Sequence, residues 1–245
     1  MGLNLFLSES DGARQYAHFD GHNRLMFITH RTNKYTELDE IKMAIKGGCD
    51  WVQLRMKDRL NLEVARDVAR FTMFDCDTDC VCCLDDNLEI ALKAGIHCIH
   101  LGKNDLPVSE AWQIINKEKK EGLFMVGATA NTFEDIVRAD REGASYVGLG
   151  PYRFTETKKN LSPVLGLEGY QKIMEQCRKV GLKIPIFAIG GIRYEDIGPL
   201  MDTGIEGIAV SGAIIHADDP VEETRRFIRE INKHKPDSYR DDSEQ

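Results

Sequence analysis

Two groups of residues in this sequence have the types and spacing to do chemistry. The run "YVGLGPYRFTETKK" at 146–159 begins apolar, breaks at Gly150-Pro151, and then delivers hydroxyls and cations together: Thr155, Thr157, Lys158 and Lys159. Further cations stand at Arg55 and Lys57 in "VQLRMKD", and carboxylates at Asp86 in "LDDN" and Asp105 in "HLGKND". Carboxylate oxygens suit Mg2+, which is typically held by one or two of them plus the phosphates of a substrate. Opposite Arg55, Lys57 and Lys158, the pair Asp86 and Asp105 reads as a magnesium–diphosphate site. Taken alone, either aspartate reads better as a cap for the following helix, and Asp86 stands close before "NLEIALKAG".

The second group is built of glycines. "AIGGI" supplies Gly190 and Gly191, and "AVSGAI" supplies Ser211 and Gly212. Glycines let backbone N–H groups approach one anion closely, because no Cβ stands in the way. Tight packing at a turn would explain either set alone. Both sets together, in the last two strands of a barrel, point to a bound phosphate.

These residues need a frame that brings them to one place. Eight short apolar runs rich in β-formers recur along the chain: 25–29, 51–55, 81–84, 97–101, 124–129, 146–150, 184–190 and 207–211. Stretches with helical spacing separate them, such as "ELDEIKMAIKGG", which stops at glycines, and "TFEDIVRADREG", which opens on a Thr132 cap. Strict β-then-α alternation implies parallel strands, since parallel neighbours need a crossover. Runs apolar on both faces, such as "IPIFAI", fit strands buried on both sides. No G-x-G-x-x-G follows the first strand, which weakens a dinucleotide-binding sheet. The expected fold is therefore α/β, a single (β/α)8 TIM barrel over 24–234, with polar extensions at 1–23 and 235–245. In such a barrel the chemistry sits at the carboxyl ends of the strands, where both groups of residues fall.

Composition narrows the partners. The chain has 245 residues, 42% of them hydrophobic, with a formal net charge of −8, which argues against nucleic acid or an anionic membrane. No apolar stretch approaches the roughly 20 residues that span a bilayer, and the start carries no secretory pattern. A cytoplasmic protein acting on small phosphorylated molecules is the expectation; the sequence leaves its oligomeric state open. Seven cysteines include the cluster Cys76, Cys80, Cys82 and Cys83, but no second pair lies at zinc-site distance, so they read as small buried apolar residues. His97 and His100 read as strand residues rather than ligands.

Taken in order, "VQLRMKD", "HLGKND", "GLGPYRFTETKK", "AIGGI" and "GIAVSGAI" closely resemble the thiamine-phosphate synthase family from about Met26 to the last helix. The resemblance implies transfer of a hydroxymethylpyrimidine group from its diphosphate to the nitrogen of a thiazole phosphate, by a dissociative route in which diphosphate leaves first. It implies that Gln53, Leu54, Arg55, Met56, Lys57, Asp85, Thr129 and Lys158 meet the pyrimidine diphosphate, with Arg55, Lys57 and Lys158 assisting departure of the leaving group. It places one Mg2+ on Asp86 and Asp105. Thr155, Glu156, Thr157, Gly191, Ser211 and Gly212 would hold the thiazole phosphate.

This chain departs from the usual pattern at several of these positions. Asp85-Asp86-Asn87 stands where N-D-R is usual, Lys103 where glutamine is usual, Thr129 where serine is usual, and Asn131 where histidine is usual. Asp85 is thus the position whose role is most open. Competing readings are a thiazole tautomerase-like isomerase, which would lack the metal aspartates and the Thr-x-Thr-Lys loop, and a non-catalytic phosphate-ligand sensor. A generic phosphosugar isomerase would want an acid–base pair that the cation-rich inventory does not suggest.

Adjacent lysines in the opening run provide an internal control. Lys158 falls on the motif position, so its ammonium is expected to face negative charge that grows on the departing diphosphate, and Lys159 is expected to point to solvent. Removing one preorganised partner of a developing charge costs on the order of 2.7–4 kcal/mol, roughly a hundred- to thousandfold in rate. Steady-state kinetics should show that loss of kcat in Lys158→Ala and, in Lys159→Ala, a change below about tenfold. Equal effects from the two would mean that the register of this loop is misplaced.

Overall fold

Each strand buries both of its faces, and the alternation of side chains explains how. In the computed structural model, which describes residues 24–57, 61–76, 78–118, 124–154 and 163–234, Met26, Ile28, Trp51, Val81, Cys83, Cys98, Met125, Tyr146, Phe187 and Ala209 form one apolar cluster. Their neighbours along the strands, among them Phe27, Val52, Leu54, Leu84, Ile99, Val126, Val147 and Ile208, belong to a second and larger cluster shared with the helices. The first cluster fills the inside of a barrel and the second fills the layer around it, as the period of two requires.

The strands are β1 (Leu25–Ile28), β2 (Trp51–Leu54), β3 (Val81–Asp85), β4 (Cys98–Leu101), β5 (Met125–Ala130), β6 (Tyr146–Leu149), β7 (Ile186–Ile189) and β8 (Gly207–Val210). They pair in sequence order, and β8 pairs with β1 in parallel to close the barrel, with Ala209 beside Met26. The helices are α1 (Glu37–Lys46), α2 (Leu62–Arg70), α3 (Leu88–Ala94), α4 (Val108–Lys117), α5 (Phe133–Glu142), α6 (Gly166–Lys179), α7 (Ile197–Met201), α8 (Gly212–Ile215) and α9 (Pro220–Lys233). The eight-unit barrel expected from the sequence is present.

Local signals set the helix ends. Thr36 and Asp39 make a reciprocal capping box at α1, and the Thr132 hydroxyl accepts from the Asp135 N–H at α5. Gly143 ends α5 in the left-handed conformation, at φ 89°. Two features differ from the periodicity. α2 does not run on to Phe74 but opens into a wider π-turn over Phe71–Asp75, with the Cys76 N–H donating to the Phe71 carbonyl. The short α8 lies between β8 and the final helix, where the pattern gave no helix.

The barrel floor is aromatic. Trp51 meets Tyr146 edge-on at 4.8 Å and Phe187 at 5.0 Å between ring centroids. Room for these rings comes from Gly127 on β5, where a Cβ would overlap the Tyr146 ring. Cys83 and Cys98 fill interior positions beside them, whereas Cys82 faces the helical layer. Burial pushes the Cys82 thiol up to about 12, so it stays protonated and behaves as a small apolar group.

Trp51 is fully buried, so Trp51→Ala should cost about 3–5 kcal/mol of stability. Val164→Ala, at a position 49% exposed, should stay within about 0.5 kcal/mol. Urea unfolding of both variants checks this, and comparable losses would mean that the interior cluster does not bear the fold.

Candidate active site

The same period of two that packs the floor carries polar groups one rung higher. Two residues beyond Trp51, Cys83 and Cys98 stand Gln53, Asp85 and His100, and Thr129 follows on the same face of β5. All four line a cavity of about 610 Å3 at the carboxyl ends of the strands, with Arg55, Lys57, Asp86 and Asp105. Leu54 and Met56, from the same run as Gln53 and Arg55, turn the other way into the layer beneath the helices. Of the "QLRMK" stretch, the side chains of Gln53, Arg55 and Lys57 line the cavity.

Asp85 is held between two neighbours. Its Oδ1 accepts from the Gln53 amide at 2.7 Å and its Oδ2 lies 3.2 Å from Arg55 Nε. Both partners of that ion pair are largely buried, and the Arg55 N–H is fixed by the Thr29 hydroxyl at 2.9 Å. Asp85 therefore orients a cation and an amide toward the cavity, which gives this unusual carboxylate a place. The Gln53 Oε1 is buried without a hydrogen-bond partner among the described residues. A buried acceptor of that kind is costly unless something in the cavity donates to it. Nearby, burial and the Arg55 charge hold the His30 imidazole below its ordinary range.

Neither Asp86 nor Asp105 caps a helix. Asn87 caps α3, its Oδ1 accepting from the Ile90 N–H at 2.9 Å, and the residue before α4 is Pro107, with no side-chain cap. Asp86 sits at φ 67°, the left-handed region unfavourable to residues with a Cβ. The Asp105 carboxylate accepts from the Gly102 N–H at 2.6 Å, and a Cβ at Gly102 would press on its Oδ2 at 2.7 Å. Burial, then the charges of Asp85 and Asp105 and a hydrogen bond with the Asp105 carboxyl, push Asp86 up to about 7; Arg55 opposes this. Two carboxyls can share a hydrogen bond only if one keeps its proton. A divalent cation could replace that proton, so this donor set fits Mg2+. Among the described residues no group of three or more His, Cys, Asp or Glu side chains is arranged to hold a metal.

His100, which the sequence reading leaves in the packed strand, is part of the cavity wall. Its Nε2 lies 3.0 Å from the Thr129 hydroxyl and its Nδ1 3.2 Å from the Tyr146 hydroxyl. The usable signal was its strand parity with Cys98. Lys103 turns onto Asp135 at 2.7 Å, and Arg138 and the Asn131 N–H hold the same carboxylate. Lys103 thus compensates Asp135. Asn131 donates to the Gly150 carbonyl at 2.5 Å, at the cis Gly150-Pro151 bond.

At the opposite side of the mouth stand Gly190, Gly191, Ser211 and Gly212. Both Gly190 and Gly191 take positive φ, at 96° and 69°. Cβ atoms there would meet Pro151 Cβ at 2.8 Å and Arg153 Cβ at 3.0 Å, so close packing of the chain after β6 requires them first of all. The Ser211 hydroxyl is buried without a hydrogen-bond partner among the described residues. Thr155, Glu156, Thr157 and Lys158 lie outside the described residues.

Comparison with known proteins is consistent along the chain. The thiamine monophosphate synthase family matches residues 25–214. A thiamine-phosphate synthase of Bacteroides fragilis is 48% identical over 204 residues, covering 83% of this chain and 98% of that protein. One from Flavobacterium johnsoniae is 38% identical over 213 residues, covering 86% and 96%. Among solved structures, thiamine phosphate pyrophosphorylase from Pyrococcus furiosus matches with a TM-score of 0.74 at 28% identity, over 88% of this chain and 98% of that one.

Asp86 generates a pH dependence of definite sign. Its folded pKa of about 7 exceeds the ordinary 3.8, so the folded protein binds the extra proton between those values. The contribution is fully present below the lower value and is lost as pH rises through the upper one. In chelator, melting temperatures from about pH 5 to 8 should show wild type losing stability relative to Asp86→Asn. A difference independent of pH would mean that the Asp86 carboxyl ionises freely.

Proposed function

The chain belongs to the thiamine monophosphate synthase family and is a transferase, and we propose that it moves a hydroxymethylpyrimidine group from its diphosphate to a thiazole phosphate with Mg2+ bound. The observation that carries the details is the placement in one cavity of a cationic arm, Arg55 held by Asp85, beside a carboxylate pair, Asp86 and Asp105. Cations favour a diphosphate there, and the carboxylate pair favours a divalent ion beside it. On this reading Asp86 and Asp105 hold Mg2+, which would neutralise charge on the diphosphate as it leaves.

The reaction needs positioning more than acid–base work. The bond from the pyrimidine methylene carbon to the diphosphate oxygen breaks, and its electron pair leaves with the diphosphate. The lone pair of the thiazole nitrogen then forms the new bond to that carbon. Arg55 and Lys57 face the charge that develops on the leaving oxygen, and Lys158 joins them by resemblance. Gln53, whose buried acceptor has no partner among the described residues, and Thr129, held by His100, suit the pyrimidine ring. Ser211 and Gly212 suit the phosphate of the thiazole, with Gly191 beside them. Fixing two phosphorylated reactants against each other supplies much of the acceleration in such a reaction.

Incubating the purified protein with both substrates and Mg2+ should yield thiamine phosphate and diphosphate in equal amounts. Loss of activity in excess chelator, restored by Mg2+, is expected. Asp86→Asn and Asp105→Asn should each raise the Mg2+ concentration for half-maximal rate by at least about tenfold, with circular dichroism unchanged. A variant with wild-type metal dependence would remove that aspartate from the metal site.

A further inference from the structure

The segment after β6 and the turn after β7 are joined by an ion pair that the proposed reaction does not use. The guanidinium of Arg153 makes a fork on Asp196, with Nη1 to Oδ2 at 2.7 Å and Nη2 to Oδ1 at 2.9 Å. Nη1 also donates to the Gly191 carbonyl at 2.6 Å. The Asp196 side chain is only 7% exposed, and its Oδ2 further accepts from the Arg193 N–H at 2.8 Å. Main-chain bonds run alongside: the Tyr152 N–H donates to the Ile189 carbonyl and the Arg153 N–H to the Gly190 carbonyl, each at 2.9 Å. Behind the pair, Arg153 lies over the Tyr152 ring, which packs on Tyr170.

Such a fork has one geometry, since a planar guanidinium meets a carboxylate through two parallel bonds. Its charge is compensated by Asp196, so Arg153 is poorly suited to bind a phosphate directly. What it does hold is the Gly191 carbonyl. Gly191 is in the left-handed region and has nothing beyond hydrogen to fix it, so the direction of its peptide depends on what its carbonyl meets. We infer that Arg153 is a positioning residue: clamped on Asp196, it fixes the Gly190-Gly191 turn in the orientation that receives the phosphate of the thiazole substrate. The inference rests on the reading of this turn as part of the thiazole phosphate seat. It adds a specificity determinant that touches neither substrate.

The test separates binding of the two substrates and needs no turnover. Calorimetric titration of wild type, Arg153→Ala, Arg153→Lys and Asp196→Asn would be made with thiazole phosphate alone and, separately, with pyrimidine diphosphate and Mg2+. Arg153→Ala should weaken thiazole phosphate by about ten- to a hundredfold, the range expected when a site element shifts by an ångström or less. Pyrimidine diphosphate should change by less than about threefold, a split that general loosening of the barrel would not give. Asp196→Asn keeps the shape and most hydrogen bonds, so it covers the case in which Arg153→Ala folds poorly, and it should show the same split. Arg153→Lys, with no fork, should restore little, whereas millimolar guanidinium added to Arg153→Ala should restore part of the lost affinity. Equal weakening of both substrates, or unchanged thiazole phosphate binding, would overturn the inference. A wild type that does not bind thiazole phosphate would sink the reading of the seat itself. Binding without product would instead count against the reaction and leave the clamp tested.

Discussion

Everything at this site depends on one geometric constraint: in a closed parallel barrel of eight strands, alternate residues have to point inward. The interior is too narrow to be empty, so its lower rung is filled by Trp51, Tyr146, Phe187 and small residues between them. One rung higher, at the open end of the barrel, the same parity presents Gln53, Asp85, His100 and Thr129, with Ile28 and Ile189 beside them. The floor and the reactive surface are thus one periodic pattern read at two heights. A single-residue slip of any strand would exchange a cavity residue for a core residue.

Charge balance ties the loops above that rung into one mouth. The carboxylate of Asp85 pairs with Arg55 across β2 and β3, Asp135 with Lys103 across β4 and β5, and Asp196 with Arg153 across β6 and β7. Each pair joins neighbouring units of the barrel, and each carboxylate also accepts a further hydrogen bond. Ion pairs of this kind, built on a buried carboxylate, add little net stability but hold geometry well when every oxygen is used. Asp86 and Asp105 form the contrasting case, two acids facing each other, and the upward push on the Asp86 carboxyl from burial and from its acidic neighbours marks where positive charge would be welcome. The acidic balance of the whole chain, −8, therefore says little about this mouth, where the local pattern decides.

Glycine does two kinds of work here. Gly190 and Gly191 permit the chain after β6 to pass close beside them, and on the proposed reading the same turn receives the phosphate of the thiazole substrate. Packing and binding are usually weighed as alternatives for such a pair. Here they are linked, because the neighbouring chain carries Arg153, which orients the Gly191 carbonyl.

The sequence by itself determined the class of fold, the order of its units and most helix ends, because those depend on local periodicity and on caps such as Thr36 and Thr132. It also brought out Arg55, Lys57, Asp86 and Asp105, since residues that end strands in this fold converge whatever the details. It did not show that Asn87 rather than Asp86 caps α3, because two neighbouring residues with similar propensity compete and only the backbone angle of Asp86 separates them. Nor did it show His100 in the cavity wall, Lys103 on Asp135, or Arg153 on Asp196. Those partners lie 29, 32 and 43 residues apart. Contacts at that range are set by strand register and by the path of the loops, which exist only once the barrel has closed.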